Sequence, residues 1–119
     1  NMTMWQGSTF GLSIIVKDAE GNNLDLTGFS ARMQIRPLYK SGIVTESLTT
    51  SNGEISIITS ESRVDLLLGA DRTANISVDL NTGSPPRTVY VYDLELIGSN
   101  NIVSKILWGN ISVYGEVTR

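Results

Sequence analysis

The chain of 119 residues contains no cysteine and no histidine. The first absence removes disulfides, thiol nucleophiles and thiolate metal ligands. The second removes the commonest general base and, together with the first, nearly every zinc or haem site. Basic charge is also scarce: Lys and Arg number 9 against 12 Asp and Glu, for a net charge of -3. A mildly acidic chain has no field that gathers phosphates, so no direct nucleic-acid partner is expected. The longest apolar runs reach about five residues against the roughly 20 of a membrane helix, so no membrane partner is expected either. No charged start followed by an apolar stretch reads as a secretion signal, although a chain beginning at Asn1 leaves a trimmed leader open.

What the sequence does have is a rhythm of two. Phe10, Leu12, Ile14 and Val16 alternate with small or polar residues, and the run stops at the turn-rich cluster Asp18 to Asn23. Such alternation belongs to a strand with one buried face. Leu24 and Leu26 alternate around Asp25. Ala31, Met33 and Ile35 share the next face, opposite Arg32, Gln34 and Arg36, and Pro37 closes that strand because proline cannot donate to a ladder. A weak strand is expected over about 43–49, then a turn at Ser51-Asn52-Gly53, where Asn-Gly is a strong hairpin signal. Strands are expected around Ile55 and Ile57 and around Val64, Leu66 and Leu68, with one short helical turn over 70–75 and a loop at 82–86. Tyr90, Tyr92, Leu94 and Leu96 define the most regular strand. It pairs through the turn at 98–101 with a long run holding Ile102, Ile106, Trp108, Ile111, Val113 and Val117, in which Gly109 is expected to mark a bulge or bend.

Strands at this spacing, with no helix long enough for a crossover, predict a single all-β domain over 1–119. Its expected form is an antiparallel sandwich of about seven or eight strands, with a small closed barrel as the alternative. Candidates for chemistry are few. Asp93 and Glu95 share a strand face, as an acid–base pair would, but they also suit a salt link to Arg32 or Arg36. Asp18, Glu20, Asn22 and Asn23 offer oxygen ligands in a loop without EF-hand spacing. No serine or threonine has a base partner or a nucleophile elbow. Neither a catalytic site nor a cofactor is expected. Trp5, among polar neighbours, is either a plug over one end of the body or an anchor into a partner.

Several stretches together resemble a family of small virion proteins of tailed bacteriophages, whose immunoglobulin-like domain is similar to the N-terminal domain of phage baseplate upper proteins. They are Gln6-Gly7-Ser8-Thr9-Phe10, Asp25-Leu26-Thr27-Gly28-Phe29 leading into Ala31-Arg32-Met33-Gln34-Ile35-Arg36, Tyr92-Asp93-Leu94-Glu95-Leu96, and Gly109-Asn110-Ile111-Ser112-Val113 through Glu116-Val117-Thr118-Arg119. The resemblance implies an immunoglobulin-like sandwich acting as a non-enzymatic structural component of a virion. The expected role is a tail or baseplate adaptor or sleeve subunit, assembled in the host cytoplasm and touching other virion structural proteins in many symmetric copies. No receptor-binding extension is expected after Arg119, and the expectation is therefore an adaptor rather than a host-attachment role. A capsid decoration (cement) protein and a carbohydrate- or receptor-binding module are the alternatives. The expected interface residues are Trp5, Arg36, Tyr39 and Arg119, near strand ends or termini.

Overall fold

A computed structural model describes residues 1–116, so Arg119 and Val117 lie outside the described residues. Eight strands form: β1 (Met2–Trp5), β2 (Phe10–Ile15), β3 (Ser30–Arg36), β4 (Glu46–Thr49), β5 (Ile55–Ile58), β6 (Arg63–Leu68), β7 (Arg87–Ile97) and β8 (Val103–Tyr114). Among the described residues a 3-10 turn over Thr59–Glu61 precedes β6, and a short α-helix, α1 (Ala70–Ala74), follows it where the helical turn is expected from sequence. The strands make two sheets, one ordered β1-β8-β7-β3-β4 and the other β2-β6-β5.

Alternation explains the layers. On β7, Tyr90, Tyr92, Leu94 and Leu96 point inward and are buried, as are Ala31, Met33 and Ile35 on β3, while the residues between them point outward. Val64, Leu66 and Leu68 on β6 face them from the other sheet, and all belong to one hydrophobic cluster. The period of two thus turns two sheets into a sandwich with a shared interior.

Strand order defines the class. The places of strands B, E and D of an immunoglobulin sandwich are taken by β2, β6 and β5, those of C, F and G by β3, β7 and β8, and β4 lies beside β3 as an added edge strand. β1 runs parallel to β8, with Met2 opposite Ile111 and Trp5 opposite Tyr114. The domain is an immunoglobulin-like β-sandwich. Without cysteines it has no inter-sheet disulfide, but it keeps another device of that fold. The Tyr90 hydroxyl, near the start of β7, donates to the Ser77 carbonyl upstream and so pins the crossing from β6 to β7.

Three local expectations change. The turn at Asn52-Gly53 exists, but it joins β4 of one sheet to β5 of the other rather than closing a hairpin. Asn52 Oδ1 accepts from the amides of Thr49 and Glu54 (3.1 and 3.0 Å), so the same turn chemistry serves a change of layer. The β7–β8 ladder runs unbroken through Gly109, which pairs with Tyr92. The irregularity sits at Leu94/Glu95, where the partner on β8 jumps from Leu107 to Lys105 and leaves Ile106 unpaired. The bulge therefore lies nearer the β7–β8 turn, and it puts Leu107, Ile111 and Val113 on the inner side and Trp108 on the outer. Finally, Met2–Trp5 is a strand where none is expected, because its one deeply buried side chain, Met4, gives too short a pattern to see.

Candidate interaction surface

The outer face of the larger sheet carries several of the residues singled out by sequence. β3 presents Arg32, Gln34 and Arg36, β7 presents Val91, Asp93 and Glu95, and β8 adds Lys105 and Trp108 in the same layer. Register sets their pairing: Arg32 lies opposite Glu95 and Gln34 opposite Asp93, while Asp93 faces Trp108 across the next ladder. The result is an open groove of about 510 Å³ with Arg32, Arg36, Tyr39, Asp93, Glu95 and Lys105 in its lining.

Its charges are settled internally. Arg32 Nε donates to Glu95 Oε1 at 2.8 Å, and Lys105 Nζ lies 3.2 Å from Asp93 Oδ2. The two carboxylates that could have formed an acid–base pair are each held by a cation, the arrangement of a salt-linked sheet face. Arg36 turns back on its own connection, donating from Nη1 to the Ser41 carbonyl (2.6 Å) and from Nη2 to Gln34 Oε1 (2.8 Å). It braces the root of the β3–β4 loop.

That loop, residues 37–45, is the most unusual part of the surface. Leu38, Tyr39 and Ile43 are 70%, 70% and 71% exposed, and Val44 is exposed beside them. Scattered exposed apolar residues are ordinary, but four on one short connection are a concentration of the kind found at contact sites. Tyr39 joins Arg36 here, whereas Trp5 stands on β1 at the opposite edge of the same sheet. Trp5 stacks on Tyr114 with ring centroids 4.8 Å apart and an interplanar angle of 25°, and remains 44% exposed. Its ring lies on the outer side of the β1–β8 pair. Leu38, Ile43 and Trp108 were not singled out from sequence. Ile43 was expected to open the weak strand over about 43–49, but that strand begins only at Glu46 and leaves 43–45 in the loop.

Other clusters hold structure together. Asp18 Oδ1 accepts from the amides of Glu20 and Asn22, both at 2.9 Å, so its oxygen serves the loop's own turn. Among the described residues no cluster of three or more metal-ligating His, Cys, Asp or Glu side chains forms. Arg72 on α1 reaches Glu46 at the start of β4 and, at 2.6 Å, Glu54 Oε2 just before β5. These bonds tie the two sheets and hold the Arg72 guanidinium above its ordinary range, Glu46 first, against the opposing effect of burial. Asp65 on β6 is held below the usual carboxylate range by the Arg63 guanidinium and then by the Ser13 hydroxyl. Burial pushes the phenols of Tyr90 and Tyr92 up.

No protein-family model matches the chain, and no curated protein is similar to it. Among solved structures, the extracellular domains 3–5 of Drosophila OTK are similar over 94% of this chain and 32% of that one, at 10% identity and a TM-score of 0.34. The chain thus spans about a third of that structure's length, and a likeness of this degree carries no functional argument. The class rests on strand order.

Proposed function

We propose that this chain is a non-enzymatic structural component of a tailed-phage virion, a tail or baseplate adaptor or sleeve subunit that works through protein–protein contacts in many copies. The observation that carries the reading is the apolar β3–β4 loop held out from a rigid sandwich, with Leu38, Tyr39 and Ile43 about 70% exposed. Covering such side chains recovers roughly 1.5–3 kcal/mol for each that becomes fully buried, and repetition around a symmetric particle multiplies modest contacts. The resemblance of the segments from Gln6 to Arg119 to virion domains supplies the setting. The salt-linked groove beside the loop suits a polar rim better than a reaction site.

The test is imaging of the native particle together with a Leu38→Ser, Tyr39→Ser, Ile43→Ser variant. The expected result is density for the domain at the tail or baseplate with residues 37–45 covered, and a folded variant that fails to incorporate. Particles that lack the chain, or that take up the variant normally, would sink the reading. Location on the capsid shell would move the role to decoration.

A second reading draws on Trp108, 61% exposed on the outer sheet face next to Asp93. An exposed indole beside polar side chains is a platform on which a sugar ring can stack. Saccharide binding abolished by Trp108→Ala would favour a carbohydrate-binding module.

A further inference from the structure

The smaller sheet ends on one side at β2, and this edge differs from the others. β1, β4 and β5 are strands of 4 residues, whereas β2 has 6 and contains no charge, proline or bulge. These are the devices by which soluble proteins blunt an edge, and β2 has none of them. The core is open along it as well. Phe10, Leu12 and Ile14 face inward yet stay only partly buried, while their partners Leu68, Leu66 and Val64 on β6 are at 2% exposure or less.

The backbone bonds show which groups the edge offers. Leu67 donates to Glu54 on the β5 side, so the odd-numbered residues of β6 are spent on β5. Its even-numbered ones, Val64, Leu66 and Leu68, face Ile14, Leu12 and Phe10 of β2. Just past β2, Val16 donates to the Ser62 carbonyl while its own carbonyl accepts from Leu24. In an antiparallel ladder the N–H and C=O of one residue point the same way and alternate along the strand. The even-numbered residues of β2 are therefore spent on β6, and Gly11, Ser13 and Ile15 turn their N–H and C=O groups to the open side.

We propose that β2 pairs antiparallel with β2 of a second copy of this chain about a twofold axis, joining two smaller sheets into one of six strands. Keeping both inner faces on one side requires paired residue numbers to sum to an even value. One such register places Ser13 opposite Ser13, Gly11 opposite Ile15 and Leu12 opposite Ile14. It uses all the open N–H and C=O groups of Gly11, Ser13 and Ile15 in hydrogen-bonded pairs. It also explains an otherwise idle glycine. Gly11 has no positive φ, and a Cβ there would meet only Leu67 Cδ1 at 3.7 Å and the Leu66 carbonyl at 3.8 Å, which is ordinary contact. Nothing within one copy requires glycine in this strand, where it weakens pairing. In the dimer the partner's Ile15 lies over Gly11 and against Leu67, so residues now 57% and 58% exposed cover each other. The neighbouring register, with Gly11 opposite Ser13, leaves Ile15 beyond the pairing. The inference stands on strand geometry and does not depend on the role proposed above.

Because the chain has no cysteine, Ser13→Cys gives one reporter per copy. Paired Ser13 Cα atoms would lie about 5.5 Å apart, within disulfide reach. Sedimentation velocity on the unmodified chain from micromolar to near-millimolar concentration should show a reversible monomer–dimer equilibrium. Mild oxidation should trap Ser13→Cys as a covalent dimer, and Ile15→Lys should weaken dimerisation at least tenfold while leaving the circular dichroism spectrum unchanged. A chain monomeric throughout, or a dimer that Ser13→Cys does not trap and Ile15→Lys does not weaken, overturns the proposal. That result would leave the virion reading intact, since the latter is judged on the opposite sheet and its loop.

Discussion

The two sheets enclose one interior but close it unequally. In the larger sheet the central strands β3 and β7 sit between neighbours, and their inward residues are almost wholly removed from water. In the smaller sheet only β6 has neighbours on both sides, and β2 leaves its inward row half open. Hydrophobicity of the residues does not explain the gap, since Phe10, Leu12 and Ile14 are as apolar as Leu94 and Leu96. Nor does an edge position alone, since the edge strands β1, β4 and β5 bury Met4, Leu48 and Ile55. Stability is therefore expected to concentrate in β3, β7, β8 and β6, with the margin left to β2.

The sharpest test of that contrast is Leu94→Ala against Leu12→Ala. Leu94 is 0% exposed, and its truncation should cost about 2–5 kcal/mol, whereas the half-open Leu12 should cost about half as much. Urea titration of both variants measures the gap, and equal losses would erase the distinction. Next comes the clip between the sheets. Arg72→Ala strands Glu46 and Glu54, whose side chains are only 12% and 16% exposed, and should cost about 1–3 kcal/mol. A negligible loss in the same titration would mean that the sheets are joined by their interior alone.

Tyr90→Phe keeps the ring and removes the bond to Ser77, for an expected loss of about 1 kcal/mol, read as a lowered thermal midpoint. Acid should find the smaller sheet as well. The Asp65 carboxyl is held below its ordinary value when folded, so its contribution is present above the unfolded pKa, about 3.9, and fades as pH falls through the lower folded value. Asp65→Asn should flatten part of the stability loss below about pH 4, and an unchanged acid limb in chemical unfolding would refute this. Smallest of all, Arg32→Ala breaks an exposed pair on the larger sheet and should cost under about 1 kcal/mol.

Much of the architecture was legible because burial on one face writes itself as alternation. The rows on β2, β3, β6 and β7, the short helical segment and the long final hairpin could all be read before any coordinates. The misreadings share a cause. Asn52-Gly53 specifies a turn but not whether the next strand stays in the same layer, since that depends on which partner β5 finds. Gly109 drew attention as the odd residue, yet the bulge fell at Ile106, an ordinary apolar residue whose displacement is visible only against β7. Of the surface candidates, Tyr39 and Arg36 come together at the β3–β4 loop, Trp5 stands at the far edge, and Arg119 is outside the described residues. The ion pairs from Arg72 to Glu46 and Glu54 were invisible, because they join three segments far apart in the chain.

The parallel seam between β1 and β8 has a mechanical consequence. Met2 to Trp5 run alongside Ile111 to Tyr114 in the same direction, so tension pulling the two ends of the chain apart loads their bonds in shear, all at once. A force probe attached at both ends should record a single high rupture event. Traction on β8 from the β7–β8 turn should instead open bonds one after another at lower load, and equal rupture forces in both geometries would contradict this. A domain strung between neighbours would thereby resist being drawn out like thread.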